Sequence, residues 1–127
     1  MDHATASTPE ELAKLFMATM NSGDLEGLVS LYAPDAIFKP DPGTTVRGTD
    51  EIRNALRVYI DRGAQITLTP RNIHKTDDLA VIANDATVTG FTDDGTDLTT
   101  TTTEVVRRSP EGHWHYVVDD PFFSATP

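Results

Sequence analysis

The sequence predicts an α+β domain in which helices are segregated from an antiparallel sheet and cover one of its faces. Three observations carry this expectation. Apolar residues recur at helical spacing as far as Gly63 and lose that period from Gln65 onward. The stretch from Leu79 to Phe91 is a long run rich in Val, Thr and Ile. Two turn signals, Asp94-Gly95 and Ser109-Pro110-Glu111-Gly112, divide the remainder into strands.

Thr8 caps the first helix, Pro9 takes its first position, and Glu11 stands at capping-box spacing. Leu12, Leu15, Phe16 and Met20 then share one helical face until Ser22-Gly23 stops the helix. Asp24 caps a shorter helix with Leu25, Leu28, Val29 and Tyr32 on its apolar side, and Pro34 ends it. A short strand, Ala36 to Lys39, precedes an irregular stretch from Pro40 to Thr45. The third helix begins after Thr49, turns Ile52, Ala55, Leu56, Tyr59 and Ile60 inward, and finishes at Gly63. Ile66 and Leu68 alternate as in a strand, Ile73-His74 begins another, and the five threonines Thr99 to Thr103 read as strand and not as linker.

The turns imply registers. With Asp94 and Gly95 as a two-residue loop, Asp85 lies opposite Glu104; with Pro110 and Glu111 as the next loop, Arg107 faces Trp114 and Glu104 faces Val117. One face then carries Asp85, Thr87, Thr89, Thr100, Thr102, Glu104, His115, Val117 and Asp119. The other carries Ala86, Val88, Thr101, Val105, Trp114, Tyr116 and Val118. Two arrangements fit this division. Either the polar face is wet and the Trp114 face is the core, or the polar face lines a pocket and a second subunit covers the apolar one.

At 127 residues the chain suits a single domain, with enough length to enclose a pocket. Twenty acidic against ten basic residues give a formal charge of −10, and the basic residues are not segregated, so neither nucleic acid nor an anionic membrane surface is an expected partner. The absence of cysteine excludes disulfides, thiolate metal sites and cysteine nucleophiles. No apolar run approaches membrane-span length, and Met1 to Thr8 lacks the regions of a signal peptide, so a soluble cytoplasmic protein is expected. His74, His113 and His115 occur at no recognised metal-ligand spacing, and no Gly-rich cradle or Gly-x-Ser-x-Gly elbow is present, so no metal and no cofactor is expected.

Several segments resemble the NTF2-like superfamily, in its SnoaL-like and ketosteroid-isomerase-like branch. They are Asn21-Ser-Gly-Asp-Leu-Glu26, Leu31-Tyr-Ala-Pro-Asp-Ala-Ile-Phe38, Arg47-Gly-Thr-Asp-Glu-Ile52 and Val105-Val-Arg-Arg-Ser-Pro-Glu-Gly-His-Trp114. The final Tyr116-Val-Val-Asp-Asp-Pro-Phe122 is similar to the SgcJ/EcaC-type subgroup, many of whose members are uncharacterised or sit in natural-product pathways. The resemblance implies a cone: three helices and a strongly bent antiparallel sheet enclose a pocket, and the outer sheet face forms a homodimer. It turns Glu104 and Asp119 toward the pocket and favours the pocket arrangement.

A ketosteroid-isomerase-like site needs a carboxylate base and two acidic donors for an enolate oxygen. The resemblance sets the base position at Pro40 with Asp41 beside it, replaces the helix-one tyrosine by Phe16, and sets the protonated acid at Glu104. The arginine that bridges two carboxylates in limonene-epoxide-hydrolase-like relatives is replaced by Thr102. Asp119 matches the single pocket carboxylate of SnoaL-like cyclases. The expectation is therefore a pocket for a small hydrophobic molecule, with Asp119, Glu104 and Asp41 as catalytic candidates. Phe16, Met20, Phe38, Leu56, Tyr59, Asp85, Thr87, Thr102, His115 and Val117 are the expected ligand contacts. Such a protein runs isomerase- or cyclase-type acid/base chemistry on a hydrophobic carbonyl or polyketide-like compound, or binds such a compound without catalysis.

Overall fold

Thr8 accepts a hydrogen bond from the Glu11 backbone N–H at 3.3 Å, and this opens helix α1, Pro9–Ser22. In the computed structural model, which describes residues 3–124, α2 (Leu25–Val29), β1 (Tyr32–Asp41), β2 (Thr44–Arg47) and α3 (Thr49–Asp61) follow. The remaining elements are β3 (Gln65–Lys75), β4 (Leu79–Thr89), β5 (Leu98–Arg108) and β6 (Trp114–Asp120). The six strands form one unclosed sheet in the order β2-β1-β6-β5-β4-β3. Every neighbouring pair is antiparallel except β1 and β6, which run parallel, a pairing the expected all-antiparallel sheet did not include.

Helix α1 lies against β3 and α3 against β1, so that Leu12, Phe16, Met20, Leu28, Ile52 and Leu56 are buried over the inner sheet face. From that face Leu68, Ile82, Ala86, Val106 and Tyr116 are buried against them. Register shifts in β1, in β3 beside Arg71 and in the β5–β6 ladder interrupt the sheet, and each such extra residue bends the strand that holds it.

Helix α2 is shorter than expected, ending at Val29, and Tyr32 opens a strand. Proline disfavours helical geometry in the residue before it, and the irregularity between Tyr32 and Ile37 in the β1–β6 pairing accommodates Pro34 within the strand. The stretch from Pro40 to Thr45 is not irregular: Asp41 pairs with Thr44 at the tip of a β1–β2 hairpin. Gln65 to Lys75 is a single strand with one shift and not two strands.

Two registers differ from the expected ones. The β4–β5 connection spans residues 90–97 and not two residues, so Asp85 faces Thr101 while Ile82 faces Glu104. A slip of odd length exchanges the faces, which sends Asp85, Thr87 and Thr89 outward and turns Ala86 and Val88 inward. At the next turn Ser109 N–H donates to His113 at 2.7 Å, giving a three-residue loop that ends on Gly112 at φ +89°. Arg108 therefore faces Trp114 and Val106 faces Tyr116, which turns both aromatic rings inward and His115 outward.

The ladder then shifts again at Val117, so Val105 pairs with Val118 and Glu104 with Asp119. The second single-residue slip thus restores the parity lost at the first, and Asp119 returns to the inner face. Trp114 is buried within the chain, where it pairs with Ala6 and carries Lys75 over its ring, so it does not await a second subunit.

Gly112 sets the first of these slips from a left-handed backbone conformation. Gly112→Ala is expected to cost roughly 1–2 kcal/mol in urea unfolding; an unchanged midpoint would mean that the turn re-forms without its left-handed residue.

Candidate functional site

The inner face and the helices enclose a cavity of about 130 Å³, comparable with the roughly 150 Å³ apolar cavity that holds one benzene ring. Eight of the expected contacts or acids line it: Phe16 and Met20 from α1, Phe38 from β1, Leu56 and Tyr59 from α3, Thr102 and Glu104 from β5, and Asp119 from β6. Ile66, Leu68, Ala86, Val88, Tyr116 and Phe122 complete much of the wall. Five expected residues do not line it. Asp85 is exposed and paired with Arg71 at 3.0 Å, Thr87 shares its outward face, and His115 lies in a surface groove with His113. Val117 is the bulged residue, packed on the core outside the lining. Asp41 sits at the exposed hairpin tip, where its Oδ1 accepts from the Gly43 N–H at 2.9 Å, a turn role.

Glu104 and Asp119 face each other across the β5–β6 rung and are 3% and 6% exposed. Glu104 Oε1 accepts from Asn84 Nδ2 at 2.7 Å and from the Thr102 hydroxyl at 2.8 Å. Its Oε2 is buried with no hydrogen-bond partner among the described residues, as is Asn84 Oδ1. Thr102 Oγ1 also accepts from the Asn84 backbone N–H at 3.3 Å, which ties β4 and β5 together behind the glutamate. Across the rung, the Tyr32 hydroxyl donates to Asp119 Oδ2 at 2.5 Å. Asp120 takes the turn role beside Pro121, its Oδ1 accepting from the Phe122 N–H at 2.9 Å.

Burial raises the Glu104 carboxyl from 4.5 to about 8, the negative charge of Asp119 adds to the rise, and the Thr102 and Asn84 hydrogen bonds oppose it. Burial likewise lifts Asp119 from 3.8 to about 6, held back by the Tyr32 hydrogen bond and pushed further by Asp120. At neutral pH the pair therefore keeps one proton, predominantly on Glu104. Burial and the neighbouring carboxylates push the Tyr32 and Tyr116 phenols well above their usual value, so both hydroxyls keep their protons. The cavity thus presents a neutral carboxylic acid and a carboxylate side by side on an otherwise apolar wall, with no Lys, Arg or His among its lining residues. Among the described residues no group of three or more acids or histidines is arranged to hold a metal ion.

A family model described as SnoaL-like domain matches residues 13–120. The chain belongs to the SnoaL-like family. No protein of curated function matches it. Solved structures place this SnoaL-like domain among NTF2-like folds. One neighbour is a candidate calcium/calmodulin-dependent protein kinase type II association domain from Thiobacillus denitrificans, with TM-score 0.77 and 17% identity over 93% of this chain and 96% of that one. Another is a candidate ketosteroid isomerase from Shewanella frigidimarina, with TM-score 0.72 and 20% identity over 86% and 89%. A third is an NTF2-like protein with a cystatin-like fold from Novosphingobium aromaticivorans, with TM-score 0.70 and 22% identity over 86% and 75%. At these identities the likeness is one of fold.

Three residues of the cluster were not anticipated from the sequence. Asn84 is a lone amide within Ala80-Val-Ile-Ala-Asn84, and an isolated polar residue in an apolar strand signals a buried hydrogen-bonding role. Tyr32 was assigned to a helix, although the nearby Pro34 favours extended backbone. Tyr116 was assigned to the outer face because the Gly112 loop was counted one residue short.

The pH dependence of stability follows from Glu104. The unfolded carboxyl ionises near 4.5 and the folded one near 8, so the native state holds a proton that the unfolded state has lost. Its contribution to stability falls as pH rises across that window, and the penalty is complete above about 8. Glu104→Gln should gain stability relative to the parent protein over the same window in urea unfolding at a series of pH values. A constant difference would show that Glu104 titrates alike in both states.

Proposed function

We propose that this SnoaL-like domain binds a small hydrophobic molecule in the cone and performs cofactor-free proton transfer on it, in the manner of an isomerase or cyclase. The observation that carries the reading is that Glu104 and Asp119, both buried, face each other across one rung of the cavity wall. A base and an acid poised on either side of neutrality suit removal of a proton next to a carbonyl and its return at a second carbon.

In this reading Asp119, held by Tyr32, is the base, and protonated Glu104 supports the developing enolate oxygen. Phe16 stands where the resemblance has a tyrosine, but the inward turn of β6 brings Tyr116 to the lining beside it, with ring centroids 6.0 Å apart. The Tyr116 hydroxyl then takes the second donor role. Asp41, at the hairpin tip, has no part in this step. A hydrophobic carbonyl or polyketide-like compound is the substrate class, and a natural-product pathway is the setting suggested by the C-terminal motif.

A second reading, a ligand-binding or accessory protein without turnover, is favoured by the absence of a bridging arginine: Thr102 stands at that position and no cation lines the cavity. The homodimer belongs to the same proposal. The outer sheet face offers Val81, which is 44% exposed, with half-buried Val105 and Val118 beside it.

Proton transfer is tested by deuterium exchange at the carbon next to the carbonyl of a small cyclic ketone, followed by NMR in heavy water. The parent protein should accelerate exchange, and Asp119→Asn should lose about 10²–10⁴-fold while remaining folded. Exchange unchanged in Asp119→Asn would remove Asp119 from the step; binding without any exchange would leave the second reading.

A further inference from the structure

We propose that the cavity takes small hydrophobic amines, as their ammonium ions, against Glu104 and Asp119. This rests on the reading of the cavity as a ligand site and not on turnover.

The wall is unbalanced in charge. Two buried carboxyls face the cavity, and no cationic side chain lines it. Arg62, near the Phe91 loop, is engaged elsewhere: it donates to the Phe91 carbonyl at 2.7 Å and lies 3.7 Å from Asp93. The groups facing Glu104 from every packed element are acidic or neutral. Strand β6 supplies Asp119, Asp120 and Tyr116, β1 supplies Tyr32, β4 supplies Asn84, β5 supplies Thr102, and α3 contributes Tyr59 to the cavity wall. The carboxyl pair retains a proton because nothing else in the cavity offsets a second negative charge.

An ammonium supplies that missing charge. It brings three N–H donors and no acceptor, and the wall leaves acceptors for it. Glu104 Oε2 is buried and has no hydrogen-bond partner among the described residues, and the Tyr32 hydrogen bond occupies Asp119 Oδ2, not Oδ1. Phe16, Phe38, Tyr59, Tyr116 and Phe122 add aromatic rings to the wall, and a cation held over such rings is attracted by their faces. Burying a charge is repaid only when it is paired and hydrogen-bonded, and both conditions are available here. The chain's net charge of −10 also concentrates cations around it. A carboxylate ligand, in contrast, would add a third negative charge to a site that already withholds its second.

The size of the cavity limits the ligand's body to about one ring, which makes benzylamine, benzyl alcohol and benzoate a matched set of probes. An ammonium beside the pair favours its ionised form, so by linkage its binding lowers the affinity for the retained proton and drives proton release. Calorimetric titration of the full chain at about pH 7, in buffers of differing ionisation heat, reads affinity and proton release together.

Benzylamine should bind at least about tenfold tighter than benzyl alcohol, releasing most of a proton, while benzoate gives no binding. Glu104→Gln should bind the amine with little proton release, and Asp119→Asn should lose the preference for the amine over the alcohol. Equal affinity for the alcohol, measurable binding of benzoate, or amine binding by the parent protein without proton release would each overturn the proposal. If the amine fails while ketone exchange persists, only this inference falls. If the alcohol, the amine and the ketone all fail to bind, the ligand-site reading falls with it.

Discussion

Glu104 and Asp119 share one rung of the β5–β6 ladder, and neither has a cationic partner in the cavity. Burial penalises the charged form of either carboxyl, and the charge of Asp119 adds to the cost at Glu104, so the lower-energy state retains a proton. That retained proton makes an acid and a base from two residues of nearly the same chemistry. The surroundings decide which is which: Tyr32 stabilises the charge on Asp119, while on Glu104 burial and the charge of Asp119 outweigh the bonds from Asn84 and Thr102.

The pairing depends on backbone irregularities more than on side-chain packing. A three-residue loop at Pro110 to Gly112 slips the register by one, and the bulge at Val117 slips it by one more. Between the two slips Tyr116 turns into the cone; after the second, Asp119 does. Without the bulge, Asp119 would lie on the outer face and Val118 would turn inward. One extra residue in a strand thus aims the proposed base, a use of bulges that recurs beside functional sites.

Much of the architecture was legible in the sequence because its signals are local. Thr8, Asp24 and the apolar periods of the helices are read without knowledge of any distant contact, and the cavity residues Phe16, Met20, Leu56 and Tyr59 follow from them. The sheet was harder to read because register is set by loop length, and Asp94-Gly95 imitates a two-residue hairpin inside a longer connection. That single miscount placed Asp85 and Thr87 on the wrong face. Glu104 and Asp119 still share the face that the expected registers gave them, because two further slips cancel in parity, and the resemblance independently turned both toward the pocket. Tyr32 and Asn84, which orient the two acids, belong to pairings between strands that no local pattern encodes.

The most direct test of the retained proton is an NMR titration of the side-chain carboxyl carbons in a uniformly labelled sample. Glu104 should titrate near 8 and Asp119 near 6, with each resonance also sensing the other's step. Glu104→Gln should remove the upper step and leave a single titration at Asp119. Two carboxyls that both ionise in the ordinary range near 4 would contradict the account, because buried sites without a cation in the cavity lining cannot hold two adjacent negative charges at so little cost.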